Sequence, residues 1–137
     1  NGKCFKIAPE DPKLYGTIKT GKLIVEGKKL YDSESNFIKD RRKLSFEGIF
    51  YISLVVYKDN SIDKNITISS IGFPDLDYVN FENNFKELFI EDFLSMNDDK
   101  KSSDAIISET IKKIVRKILR EQDLTRKPEV NSHIIRL

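Results

Sequence analysis

One histidine and one cysteine in 137 residues leave this chain short of the groups that most site chemistry needs. A two-metal hydrolase gathers His and Asp ligands to activate water; with His133 alone, no such centre is expected here, and His133 reads as a surface or structural residue. A single thiol, Cys4, excludes an internal disulfide, and one Cys with one His cannot complete a zinc site without ligands from elsewhere. Cys4 has no histidine near it in sequence to activate it, so it reads as a half-buried small apolar residue. These shortages fit a reducing, cytoplasmic setting. Long apolar runs are missing too: the purely apolar stretches fall far short of the roughly 20 residues that cross a bilayer. Charge of one sign is scarce, since a net charge of +2 is too small to imply nucleic-acid binding from the global field. Any such binding must come from local clusters.

What is present describes a water-facing folded chain. A hydrophobic fraction of 39% beside a charged fraction of 34% is typical of globular proteins. The length suits one domain with a real core and a small extension. The chain starts at Asn1 without a signal-peptide pattern, so it reads as part of a longer polypeptide.

The pattern along the chain predicts three segments. Residues 1–31 read as a β-rich linker from the end of a preceding domain. Lys3 to Ile7 alternates before Pro9 and Pro12 end it, and Lys22 to Glu26 is framed by Gly21 and Gly27 with Leu30-Tyr31 as its hairpin partner. Residues 32–47 read as a short helix and basic connector, with Asp32 or Ser33 as N-cap and Glu34 in the first turn. The run Lys39 to Lys43 then suits the helix C-terminus, where cations meet the negative end of the helix dipole. Residues 48–137 read as an α+β domain.

Within that domain, Ile49 to Tyr57 is apolar on nearly both faces and predicts a central, covered strand. Lys58-Asp-Asn-Ser61 is a turn by composition, and the alternation from Ile66 to Ile71 supplies an antiparallel partner before Gly72 and Pro74 stop it. Phe81, Phe85, Leu88, Phe89 and Met96 form one helical stripe of core residues, with Asp92 as the misfit. A buried partner, a fraying end or a different register would each account for Asp92. Asn97 to Ser103 reads as a polar hinge whose serines cap the next helix. That helix, Asp104 to Gln122, has an apolar band of Ile107, Ile111, Ile114, Val115, Ile118 and Leu119. Its other side carries Lys112, Lys113, Arg116, Lys117 and Arg120. Past Pro128, the stretch Val130 to Leu137 reads as a closing strand. The expected architecture is a two-layer α+β sandwich, a roughly three-stranded sheet with two helices on one face, preceded by the β-rich linker. The second face of the Ile49 strand is too apolar for water, so the linker, another domain or another subunit should cover it.

Taken together, Asn1-Gly2, Gly21-Lys-Leu-Ile-Val-Glu-Gly27, Arg41-Arg-Lys-Leu-Ser45 with Gly48, Gly72-Phe73-Pro74 and Thr125-Arg-Lys-Pro128 resemble, in order and spacing, the C-terminal region of the ribonuclease J family of metallo-β-lactamase/β-CASP RNases. That resemblance implies a parent protein that is a zinc-dependent 5′-to-3′ exonuclease and endonuclease of RNA maturation and decay. Its zinc ligands lie N-terminal to this stretch, so no catalytic or metal residue is assigned here and no cofactor is expected in this part. The implied partners are the preceding catalytic domains of the same chain, a second copy of the chain, and RNA through the parent enzyme, with no membrane.

Two roles then remain. One is assembly and positioning of the catalytic domains. The other is RNA guidance, with Lys39, Arg41, Arg42, Lys43, Lys112, Arg116 and Arg120 touching phosphates. Against guidance, Glu109, Glu121 and Asp123 are close enough in sequence to pair with several of those cations and leave an ordinary solvated face. A rival of another class is a free-standing α+β RNA-binding or regulatory module. No Gly-x-x-Gly loop lies between helices as in a KH domain, and the Ile49 strand lacks the basic and glycine pattern of an RRM stacking platform.

Overall fold

The computed structural model describes residues 2–7, 9 and 12–137. Asn1, and with it half of the Asn1-Gly2 match, lies outside the described residues. The chain forms two compact units, Asn1–Arg41 and Arg42–Leu137.

The first unit holds two separate hairpins. β1 (Lys3–Lys6) pairs antiparallel with β2 (Lys13–Thr17), with an irregularity between Cys4 and Phe5. β2 is absent from the sequence reading: Gly16 interrupts its pattern, and four of its five residues are exposed, so no apolar face marks it. β3 (Leu23–Glu26) and β4 (Lys29–Asp32) make the hairpin expected around Gly27, whose φ of 58° is the left-handed conformation that a tight turn asks of glycine.

The helix α1 (Asn36–Glu47) begins three residues later than its expected caps and runs beyond the basic segment. Asp32 instead accepts a hydrogen bond from the Glu34 backbone at 2.8 Å, and Ser35 O receives the first helical N–H groups, from Ile38 and Lys39. The Lys39-to-Lys43 run therefore lies within the helix, and the last turn carries no basic residue, which removes the dipole argument for it. Gly48 stops the helix: its N–H bonds to Leu44 O at 3.0 Å and its φ is 75°, the left-handed cap geometry. No other residue fits, because a Cβ there would lie 2.5 Å from the Phe73 ring and 2.8 Å from Ile71 O.

In the second unit, β5 (Ile49–Val56) is the middle strand of three. β6 (Thr67–Ile71) pairs with it antiparallel, and β7 (Glu129–Arg136) runs parallel to it from Ile49↔Glu129 to Val56↔Arg136. A parallel neighbour needs a crossover. That crossover is made by α2 (Tyr78–Ser95), the one-turn α3 (Asp98–Lys101) and α4 (Asp104–Glu121).

Phe50, Ile52, Leu54 and Val56 of β5 are sealed against both long helices. On α2 the buried stripe is Phe81, Phe85, Phe89 and Phe93, spaced by four residues, so Phe93 and not Asp92 continues it, and Asp92 is exposed. Their rings follow one another at 6.3, 5.7 and 5.9 Å, and the row continues through Phe50 to Phe73, each step 4.8 Å. Leu88 and Met96 pack at its edge. The α4 band is buried with the six residues expected. Where a hinge capped by serines was expected, Asn97 caps α3 through a bond from Lys100 N at 3.1 Å, and Ser103 makes no side-chain cap.

The second face of β5 is partly open in this chain taken by itself. Tyr51 is 43% exposed, Ile49, Ser53 and Val55 are half-buried, and Ile71 and Ile135 on the flanking strands are 65% and 38% exposed. Between these apolar positions lie Ser69, Thr67, Asn131 and His133, paired in register with Tyr51 or Ser53.

Candidate nucleic-acid interface

Helix α4 supplies the first half of a basic groove. Its apolar residues are buried against the sheet, which leaves Arg116 and Arg120, one turn apart, exposed on its outer side. The Arg120 Nε donates to Arg116 O at 3.0 Å, and this holds the guanidinium while its terminal nitrogens stay available. The helix then ends in a Schellman turn: Leu124 N bonds to Leu119 O at 2.8 Å and Asp123 N to Arg120 O at 3.1 Å, with Asp123 at φ 58°. Leu124 packs against the core, as the apolar residue of that motif should.

This reversal delivers Thr125, Arg126 and Lys127 alongside the arginines. The five residues Arg116, Arg120, Thr125, Arg126 and Lys127 line an open groove of about 360 Å³. Arg126 is fixed on its inner side, since it donates to Gly72 O at 2.6 Å and lies 5.8 Å over the Phe73 ring. The Lys127 backbone N–H is held by Glu47 Oε2 at 2.5 Å, and Glu129 N bonds to Gly48 O at 3.1 Å. Gly72 in turn packs tightly on Gly48, where an added Cβ would come within 3.1 Å of the Gly48 Cα. Three motifs far apart in sequence, the end of α1 with Gly48, Gly72-Phe73 and Thr125-to-Pro128, thus meet at one end of the sheet.

Of the seven residues proposed from sequence, only Arg116 and Arg120 enter this groove. Lys112 is half-buried on the same helix outside it. In α1, Lys39 pairs with Glu34 at 3.5 Å, Arg41 pairs with Glu26 and lies 5.6 Å over Phe37, and Lys43 pairs with Glu129 at 2.9 Å. Arg42 is exposed and has no salt bridge among the described residues. On α4 the expected pairing runs the other way: Glu109, Glu121 and Asp123 form no salt bridge with its lysines or arginines among the described residues. Arg126 and Lys127 join the groove without belonging to either basic cluster of the sequence. Their signal was two cations between a threonine and a proline just past a helix end that already carried cations.

Among the described residues no three His, Cys, Asp or Glu side chains gather at one place. His133 is exposed on the outer sheet face in register with Ser53, and the Cys4 sulfur lies 4.0 Å from Gly2 O. No helix among the described residues is long and apolar enough to cross a membrane.

Residues 36–137, from the first residue of α1 to the last strand, match the family model described as ribonuclease J C-terminal domain. Residues 1–35, including the Gly21-to-Gly27 segment, lie outside that match. No curated protein matches the chain.

Proposed function

Because the chain belongs to the ribonuclease J C-terminal domain family, we propose that it is a non-catalytic part of a ribonuclease J-type enzyme that pairs subunits and braces the catalytic domains preceding it. In this reading the whole enzyme is a cytoplasmic, zinc-dependent hydrolase that acts on RNA as 5′-to-3′ exonuclease and endonuclease. The zinc belongs to its catalytic domains and not to this part.

The observation that carries the assembly role is the open outer face of the sheet in the second unit. Ile49, Tyr51, Val55, Ile71 and Ile135 form an apolar surface around a polar strip of serine, threonine, asparagine and His133. An apolar patch with tyrosine near its centre and polar groups that can pair across is the composition of a protein contact surface. Light scattering of the chain across a concentration series tests the reading. A two-chain mass that persists as salt rises is expected, because apolar burial is not screened. A single-chain mass throughout would rule out self-pairing by this part and favour an intramolecular brace or the free-standing module. RNA guidance is the second reading, and the groove around Arg116 and Arg120 is what favours it.

A further inference from the structure

We propose that the groove lined by Arg116, Arg120, Thr125, Arg126 and Lys127 binds the phosphodiester backbone of single-stranded RNA, through charge and without reading base identity. The choice of RNA among polyanions rests on the chain's place in a ribonuclease; the groove's anion chemistry stands on its own geometry.

Four of the five lining residues are cations and none is a carboxylate. Of the acids around the groove, Glu47 accepts from Lys127 N and Glu129 is paired with Lys43, while Asp123, between Arg120 and Thr125 in the chain, is exposed and is not among the lining residues. Glu121 lies outside this groove, in the smaller recess it shares with Lys117 and Arg120. Cations near a helix C-terminus can simply answer the helix dipole. That explanation covers Arg120 in the last turn, but Arg116 lies a turn further back and Arg126 and Lys127 lie beyond the helix. The carbonyls of Ile118, Leu119 and Arg120 near the end of α4 also already accept from Gln122, Asp123 and Leu124 N–H groups, so the arginines are not needed for them.

The groove is organised before any ligand arrives. Arg120 is held by Arg116 O, and Arg126 is clamped between Gly72 O and the face of Phe73, which packs on Phe50 in the core. Two guanidiniums fixed in this way lose little freedom on meeting phosphate oxygens, and the Thr125 hydroxyl adds a neutral donor. No aromatic ring lines the groove, so it offers no platform for stacked bases. The consequence is binding that tolerates any sequence. The α1 cluster is different, since three of its four cations are engaged by carboxylates.

The test is fluorescence anisotropy of the full chain with labelled single-stranded RNA of about a dozen nucleotides, over a salt series. Each phosphate contact contributes about −0.7 to the slope of log affinity against log salt, so Arg116→Gln with Arg120→Gln should flatten the slope by about 1.4 and weaken binding roughly tenfold or more. Lys112→Gln with Lys113→Gln, on the same helix outside the groove, should change affinity less than about twofold. RNAs of different sequence should bind alike, and inorganic phosphate at matched ionic strength should not displace them. Equal losses in both double variants, strong base preference, full displacement by inorganic phosphate, or no RNA binding by the parent chain would each overturn the proposal. A salt-labile self-association lost with the two arginines would also overturn it, by giving the groove to a protein partner. Mass measurements on the same variants separate the two readings: RNA binding that fails while the two-chain mass persists sinks the groove alone.

Discussion

Between Lys3 and Asp32 four strands make two separate hairpins, and Phe5, Leu14, Val25 and Leu30 on them are more than half exposed. Between Phe50 and Val130 the chain buries seven phenylalanine and isoleucine positions of α2 and α4 to 0% exposure against the equally closed inner face of the central strand. The difference is one of layers. A two-stranded hairpin has no second layer to cover its apolar side chains and is marginal by itself. A three-stranded sheet with two helices on one face closes a core and still leaves its other face open. The hairpins thus leave much of their apolar surface exposed, whereas the second unit encloses a core and keeps one sheet face partly open.

The sharpest way to break this contrast is to remove one ring from the core and one side chain from a hairpin. Phe85→Ala, in the middle of the aromatic row, should cost about 3–5 kcal/mol in urea unfolding, because it deletes a fully buried ring and leaves a cavity. Val25→Ala should stay within about 0.5 kcal/mol. A comparable loss at Val25 would mean that the hairpins share the core. Next in size is Gly48→Ala, expected to cost about 2–4 kcal/mol, since the new Cβ meets both strained φ and the Phe73 ring. The same substitution should disturb the Arg126 side chain that rests on Phe73, which ¹H–¹⁵N spectra would report as shifts at Thr125 to Lys127.

The smallest effect belongs to the β5–β6 turn. The Ser61 hydroxyl and backbone N–H hold the Asp59 carboxyl below its ordinary value of 3.8. The Asn65 N–H, with the Tyr57 hydroxyl, does the same for Asp63. Their stabilisation of the turn is present above the unfolded value near 3.8 and is lost as pH falls through the lower folded values. Tyr57, which donates to Asp63 at 3.0 Å, is pushed above 10.0, so its share is present below 10.0 and lost as pH rises through the folded value. Ser61 and Asn65 amide shifts should therefore move on the acid side of 3.8, and Asp63→Asn should bring the Tyr57 phenol down toward 10.0. An Asp63→Asn chain with an unchanged tyrosine titration would contradict the assignment.

Legibility in the sequence followed the same division. The α4 band could be read residue by residue because six apolar side chains at helical spacing have only one way to be buried together. The hairpin of β5 and β6 followed from alternation and a polar turn. On α2 the error was one of register: rows of four residues from Phe81 lead to Phe93, not through Asp92 to Met96. The start and end of α1 were misplaced because Ser33 looked like a cap, and because cations suit a helix end; Gly48 was the real stop. Strand β2 left no pattern, being exposed. The parallel place of β7 is a matter of crossover topology, which local pattern does not encode. Of the groove, Arg116 and Arg120 were legible as a basic helix face. Arg126 and Lys127 were not, because what brings them there is the Schellman turn after α4 together with Gly72, Phe73 and Glu47 from distant segments.

The open sheet face is the centre of the account, and a charge placed on it tests it directly. The measurement is the light-scattering mass of Ile71→Lys with Ile135→Lys beside the parent chain at matched concentrations and moderate salt. Both side chains are exposed, so the core should be unaffected. The predicted result is a two-chain mass for the parent and a single-chain mass for the variant. A variant that pairs as well as its parent would contradict the claim that this face is the assembly surface.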